Sequence, residues 1–293
     1  MSEVRSIAIS SNFAHHTTHS GYKQILRFTK PLAVFGIDYT KENSKIVQSY
    51  YYVHEFIAWF RSFSLKFDVL HILYGEDYFR FSHILFWRKK LVVTFHQPPD
   101  ILDQELSLGN YNGRVAGFTH SITRRRLRSI DACIVMSKEQ KEVAQKYIDS
   151  SKIHVIPLGV NLERYNLAFN KHEFSRDRDQ VITVGEWLRD WDLYLKVVDE
   201  CFLKSPETQF ILINNRLNDQ VLNEISSRKN VKYVMNITDA ELEKLYLTSA
   251  AMFLPLKGAA GSNAINEALA LGCPVISNLR FDFWLNIANS PLQ

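Results

Sequence analysis

The stretch whose reading decides the fold is "GAAGSNAINEALALGCPVI", Gly258 to Ile276. A loop of small residues runs into a short helical pattern and then into Pro274-Val275-Ile276, which reads as a buried strand. Small residues let a ligand approach the backbone closely. A helix N-terminus offers unpaired N–H groups and a partial positive charge, which suit a phosphate. Gly261 closes the loop, and the backbone N–H groups of Ser262 and Asn263 are the expected phosphate contacts. Glu267 follows one turn later, and a carboxylate near a nucleotide most often accepts hydrogen bonds from ribose hydroxyls. The stretch predicts a nucleotide site.

Working outward, short apolar runs recur along the whole chain. "VRSIAIS", "PLAVFGI", "FDVLHIL", "KLVVTF", "DACIVMS" and "KIHVIPL" read as strands in the first half. "DQVITVG", "TQFILIN", "NVKYVM", "AAMFLPL" and "CPVIS" follow in the second. Amphipathic stretches such as Tyr50–Phe63 and Lys138–Tyr147 lie between them. Buried Val/Ile/Leu runs alternating with helices signal parallel sheets in a doubly wound α/β fold. The polar segment "NLAFNKHEFSRDRDQ", Asn166–Gln180, is the expected linker. Two Rossmann-like domains are therefore expected, residues 1–165 and 178–293, facing a cleft.

The 293 residues and 46% apolar content suffice for two cores. Three dispersed cysteines, Cys133, Cys201 and Cys273, argue for a reducing compartment and against a disulfide framework or zinc site. The start "MSEVRSIAISSNF" has no long apolar run typical of a signal peptide, and no run of about 18 apolar residues suggests a spanning helix. A cytoplasmic location follows as the expectation.

The net charge of +4 is uneven. Residues 1–165 carry 22 Lys+Arg against 15 Asp+Glu, and residues 166–293 carry 13 against 16. The densest basic clusters are "WRKK" (Trp87–Lys90) and "TRRRLR" (Thr123–Arg128). Solvated helix ends explain them, as does contact with a phosphate-bearing acceptor or an anionic membrane surface, here its inner face. No nucleic-acid-binding module accompanies the charge, so nucleic acid is not the expected partner.

In open α/β sheets, ligands bind beyond the carboxyl ends of the strands. Several polar residues are expected there. "SNFAHHTTHSGYKQI" ends at Gly21 just before a helix, where the backbone can meet a phosphate or sugar. The dinucleotide pattern G-x-G-x-x-G is absent. His15, His16 and His19 lack a matching carboxylate or cysteine set, so no metal site is expected; His19 and Tyr22 read as contacts to a sugar acceptor. Glu76 and Asp77 follow "VLHIL", with Glu76 on the acceptor side. His96 follows "VVTF" and precedes two prolines that fix the turn. Gly185, Glu186 and Arg189 follow "VITV", and Arg189 could clamp a diphosphate, since a guanidinium matches phosphate oxygens.

Taken together, "VITVGEWLRDWD", "IHVIPLGVNLERY" and "SNAINEALALGCPVISN" resemble glycosyltransferase family 4, the retaining GT-B enzymes. "THSGY", "LYGE" and "TFHQPP" are consistent with that family's acceptor-domain loops. The resemblance implies a nucleotide-sugar donor, a UDP- or GDP-sugar, in the second domain and a glycan or lipid-linked acceptor mainly in the first. It implies that Glu267 binds ribose, that Gly21 lies near the donor phosphates and that His96 contacts the donor sugar. No cofactor or metal is implied; the departing phosphate itself can deprotonate the acceptor hydroxyl.

The chain departs from the family pattern at named positions. The first glutamate of E-x7-E is Ala259, with Asn263 nearby. The arginine after the strand glycine is Glu186, and the following lysine falls near Trp191, so Arg189 is the expected substitute cation. The sequence stops soon after "PVISN", short of the terminal helix that the family pattern leads one to expect. These departures leave two alternatives: a GT-B sugar-nucleotide-binding protein or partner subunit with little or no activity, and a GT-B epimerase using Glu76 and Asp77.

Overall fold

The computed structural model describes residues 4–13, 21–38, 51–107, 125–171, 174–215 and 217–279. They form two compact units, one of residues 4–13, 22–38, 51–107 and 125–158, and one of residues 159–171, 174–215 and 217–279 together with Gly21.

Each expected strand forms. In the first unit they are β1 (Ser6–Ile9), β2 (Val34–Phe35), β3 (Val69–Ile72), β4 (Lys90–Thr94), β5 (Ala132–Val135) and β6 (Ile153–Val155). They make one sheet in the order β2-β1-β3-β4-β5-β6, and every pairing is parallel. The register sets Ser6 beside Val69 and Val69 beside Lys90. Ile7, Ile9, Leu70, Ile72, Leu91, Val93, Cys133 and Val135 are buried. The helices Gly21–Thr29, Tyr51–Arg61, Pro99–Ser107 and Lys138–Ala144 connect the strands, with shorter turns at Gly75–Tyr78 and Ser82–Leu85. Parallel neighbours require such crossovers, because a tight hairpin cannot return the chain in the same direction.

The second unit holds β7 (Asp177–Val184), β8 (Gln209–Ile213), β9 (Val231–Val234), β10 (Ser249–Phe253) and β11 (Val275–Ile276). Its sheet runs β11-β10-β7-β8-β9, again wholly parallel. Its helices are Leu162–Lys171, Trp191–Lys204, Asp219–Ser226, Asp239–Thr248 and Asn263–Ala270. Four begin at a side-chain cap: Asp190, Asn218, Thr238 and Ser262 each accept from a backbone N–H three residues on. Tyr194, Phe210, Leu212 and Phe253 fill the centre of this unit.

The expected linker is not irregular. Asn166 to Lys171 belong to a helix, and Asp177 to Gln180 begin β7. The division falls between Leu158 and Gly159, so residues 159–165 go with the second unit. Polar composition misleads here because a single fork holds the segment. The Arg176 guanidinium donates to the carbonyls of Tyr246, Ser249, Leu271 and Gly272. That leaves Asp177–Asp179 as a solvent-exposed extension of a buried strand.

Strand order locates the switch points. In the first unit the chain leaves β1 for β2 on one side and β3 takes the other. In the second, β8 and β9 extend from one side of β7 and β10 takes the other. Ligand sites of doubly wound sheets lie beyond the carboxyl ends of strands at such reversals.

Gly36, just past β2, has φ +130°, and a Cβ there would lie 1.9 Å from the Ser10 carbonyl oxygen. Backbone cannot yield as a flexible side chain can. Gly36→Ala is expected to destabilise the fold by about 3 kcal/mol or more. Chemical denaturation of the two proteins checks this; equal midpoints would refute the close approach.

Candidate functional site

In the second unit the switch-point loops are Gly185–Asp190, after β7, and Leu254–Ser262, after β10. Two backbone bonds join them, Asp190 N–H to Pro255 O (3.1 Å) and Lys257 N–H to Leu188 O (2.9 Å), and together they make an antiparallel bridge between Arg189 and Leu256. Gly185 has φ +83° and Leu188 φ +55°, both in the left-handed region. For leucine that backbone is uncommon and strained.

Arg189 holds the first loop in this shape. Its Nε and Nη2 donate to Val184 O at 3.1 and 2.6 Å, and Nη1 to Trp187 O at 2.9 Å. Burial brings its pKa down to about 10. The positive φ favours glycine at position 185, where a Cβ would lie 2.8 Å from Nη2 and displace the guanidinium end. The arginine expected to clamp a diphosphate is thus engaged by carbonyls of its own loop. Lys257, on the adjoining loop, is exposed.

The second loop ends at Gly261, and Ser262 caps the helix Asn263–Ala270. Glu267 lies in this helix and hydrogen-bonds the Tyr165 side chain of the helix Leu162–Lys171. Burial pushes the Glu267 carboxyl up to about 7; the Tyr165 hydrogen bond and Arg164 oppose the shift, while Asp239 and Glu243 add to it. Arg164 donates from Nε to Glu243 at 2.7 Å. Ala259 and Ala260 are buried, so no carboxylate stands where the family pattern has its first glutamate.

In the first unit, β3 leads to Tyr74-Gly75-Glu76-Asp77 and β4 to Phe95-His96-Gln97. Both Glu76 and His96 side chains are buried, with Glu76 Oε1 3.4 Å from His96 Nδ1. Tyr74 stacks on the His96 ring at 4.7 Å between centroids and meets Phe13 edge-on at 5.3 Å. Among the described residues, Glu76 Oε2 is buried without a hydrogen-bond partner. Two more carboxyls share this surrounding. Burial, then the Glu76 charge, raises Asp77 to about 7; burial, then Glu76 and Asp77, raises Glu105 to about 7. His71, donor or acceptor to Thr94 Oγ1 at 2.9 Å, falls to about 4 through burial and then His96.

Gln140 and Tyr165 were not singled out from sequence. Gln140 is buried and holds the His96 turn from both sides. Its Nε2 donates to Phe95 O and Gln97 O at 3.3 and 2.7 Å, while Oε1 accepts from the N–H groups of Met136 and Ser137. The signal was present as Ser137-x-x-Gln140, a capping box. Tyr165 carried no such signal, because its partner Glu267 is about a hundred residues away and only the fold joins them.

Of the other expected residues, Gly21 is the first residue of its helix. Tyr22 lies in that helix, with its side chain outside the description. His15, His16 and His19 lie outside the described residues. Among the described residues no group of three His, Cys, Asp or Glu side chains could hold a metal ion.

The sequence model described as Glycosyltransferase Family 4 matches residues 16–164, just over half of the chain. The chain belongs to glycosyltransferase family 4. No curated protein sequence matches it. Solved structures agree in fold at low identity. An α,α-trehalose 6-phosphate synthase from Burkholderia multivorans superposes with TM-score 0.68 at 10% identity, covering 94% of this chain and 83% of that one. The catalytic domain of starch synthase IV from Arabidopsis thaliana, bound to ADP and acarbose, gives 0.67 at 11%, covering 100% and 86%. HepE from Anabaena, in complex with UDP and glucose, gives 0.61 at 13%, covering 94% and 80%. The architecture of this family 4 member is therefore GT-B.

The raised carboxyls fix a pH dependence. Glu267 binds its proton more tightly folded than unfolded, so its contribution is complete below pH 4.5 and lost as pH rises through about 7. Asp77 and Glu105 act in the same direction. These three contributions are expected to decline over that window, against His71, whose lowered pKa adds stability as pH rises from about 4 to 6.5. Glu267→Gln should flatten the decline by at most about 3 kcal/mol. Urea titrations of both proteins across pH check this, and a difference between them that does not change with pH would contradict it.

Proposed function

We propose that the chain is a retaining hexosyltransferase that moves a sugar from a nucleotide-sugar donor to a glycan or lipid-linked acceptor, in surface polysaccharide or glycolipid synthesis. The observation that carries the donor assignment is Glu267. This half-buried carboxyl stands on the helix that begins where the switch-point loop ends. A UDP- or GDP-sugar fits this arrangement: ribose hydroxyls at Glu267, and the diphosphate at the Ser262–Asn263 helix start beside Gly261. HepE with UDP and starch synthase IV with ADP support a nucleotide donor.

On this reading the residues take the following roles. Arg189 and Gly185 hold the loop that shapes the diphosphate site, and exposed Lys257 supplies the mobile positive charge. His96, with Glu76 beside it, contacts the donor sugar; Glu76 Oε2 can accept a hydrogen bond from an acceptor hydroxyl. The sugar and phosphate contacts expected of Gly21, His19 and Tyr22 belong to the same reading. As the bond from the anomeric carbon to the diphosphate oxygen breaks, negative charge grows on the leaving group. Lys257 and the helix N-terminus stabilise that charge. The acceptor oxygen bonds to the anomeric carbon on the same face, and its proton passes to the departing phosphate. Contact with an anionic membrane surface would bring a lipid-linked acceptor to the protein.

Ala259 favours a second reading, a sugar-nucleotide-binding partner subunit without transfer. Donor binding without turnover of any offered acceptor would select it.

Thermal shift against UDP, GDP and ADP tests the donor site, since a ligand of the folded state raises the melting temperature. One of the three is expected to shift it, and Glu267→Ala to weaken that ligand about tenfold or more. Lys257→Ala should weaken binding with the unliganded melting temperature unchanged, whereas Arg189→Ala should lower that temperature itself. No shift with any nucleotide would overturn the proposal.

A further inference from the structure

The helix Tyr51–Arg61 is turned the unexpected way round. Val53, Phe56, Ile57 and Phe60 lie at i, i+3, i+4 and i+7, the spacing that normally faces a core. All four are exposed, Phe60 by 71%. The opposite face buries Ala58 and, fully, the carboxylate of Glu55. Glu55 accepts from the N–H groups of Arg80, Phe81 and Ser82 and from Ser82 Oγ. That charge-assisted clasp fixes the helix against the turn Ser82–Leu85. It sets Phe56 5.6 Å from Phe81, ring to ring.

Further exposed apolar side chains follow the helix and follow Phe81 along the chain. Phe63, 66% exposed, meets Trp59 at 4.7 Å and Phe60 at 6.3 Å. Beyond Phe81 come exposed Ile84 and Trp87, the latter 70% exposed with the Arg88 guanidinium 4.4 Å above its ring. Trp87, Arg88, Lys89, Lys90 and Ser129 also line a concavity of about 370 Å³. Asp131 lies in its wall but is paired with Lys90 at 2.8 Å and accepts from Leu91 N–H.

Charge selects the occupant. Residues 51–67 and 78–90 carry six Lys or Arg, namely Arg61, Lys66, Arg80, Arg88, Lys89 and Lys90. Their one acidic residue is Glu55, which is buried. A second copy of the chain would set cations against cations. An anionic bilayer takes both parts, aromatic side chains into its interfacial region and Lys/Arg to its phosphates.

We propose that this face docks the protein on an anionic lipid bilayer, with Phe60, Phe63 and Trp87 inserted at the interface and the Trp87–Lys90 concavity taking a lipid phosphate. The proposal deepens the membrane contact named above and stands apart from the donor site, which uses other residues.

Co-sedimentation of the full chain with vesicles tests it. Phosphatidylcholine vesicles containing phosphatidylglycerol should pellet the protein at low ionic strength, and phosphatidylcholine alone should not. Phe60→Ser with Phe63→Ser is expected to lower partitioning about tenfold, and Arg61→Glu with Lys66→Glu to remove the preference for anionic lipid. Trp87→Ala gives an independent reading should the double phenylalanine variant fold poorly. No pelleting at low salt overturns the proposal, as does full binding by either aromatic variant. Self-association lost in the aromatic variants, without vesicle binding, overturns it in favour of a protein interface. Nucleotide thermal shifts run on the same samples keep the two claims separate: binding of nucleotide without vesicles sinks the docking face alone, and the reverse sinks the donor site alone.

Discussion

A parallel sheet covered on both faces leaves chemistry only one place, the loops beyond its carboxyl ends. Both units obey this constraint, and each reverses strand order once. Those loops must still be held, because a loop without regular structure has backbone groups to satisfy. In this protein buried and half-buried polar side chains do the holding. Arg189 ties the Gly185 loop to its own carbonyls, and Gln140 braces the His96 turn from both sides. Arg176 pins the entry to β7, and Glu55 clasps three successive N–H groups. Each satisfies several backbone groups at once, and removing any of them would leave those groups unpaired in a poorly solvated setting.

Site electrostatics follow from the same burial. Carboxyls that reach the strand ends lose water before they gain a cation. Asp77, Glu105 and Glu267 therefore titrate near neutrality rather than in the usual carboxylate range. Perturbed groups gathered at strand ends are a physical signature of functional sites, although structural networks also produce them. Glu55 shows the second case, a buried carboxyl whose hydrogen bonds all serve packing.

The fold was legible because strand identity rests on local composition. Runs such as "VITV" and "FILI" are apolar throughout, and each formed the strand expected of it. The helix that carries Glu267 was legible because it follows a loop of small residues and opens at Ser262. Arg189 shows the limit of such reading. Its position after a strand marked it as a phosphate ligand, but sequence cannot say whether a guanidinium faces outward or folds back on its own turn. The segment Asn166–Gln180 shows another limit. Its polarity signalled a linker, while the bonds that order it run from Arg176 to residues some seventy to ninety-six positions away. The exposed apolar stripe of the helix Tyr51–Arg61 was equally hidden, since periodicity reveals a stripe but not the side it faces.

The central claim is that the paired loops of the second unit receive the donor. Hydrogen exchange measured by mass spectrometry, with and without UDP, GDP and ADP in turn, tests it most directly. The account predicts that the nucleotide which binds will slow exchange in peptides covering 185–190 and 256–267. Binding that leaves those peptides unchanged and protects others would contradict it.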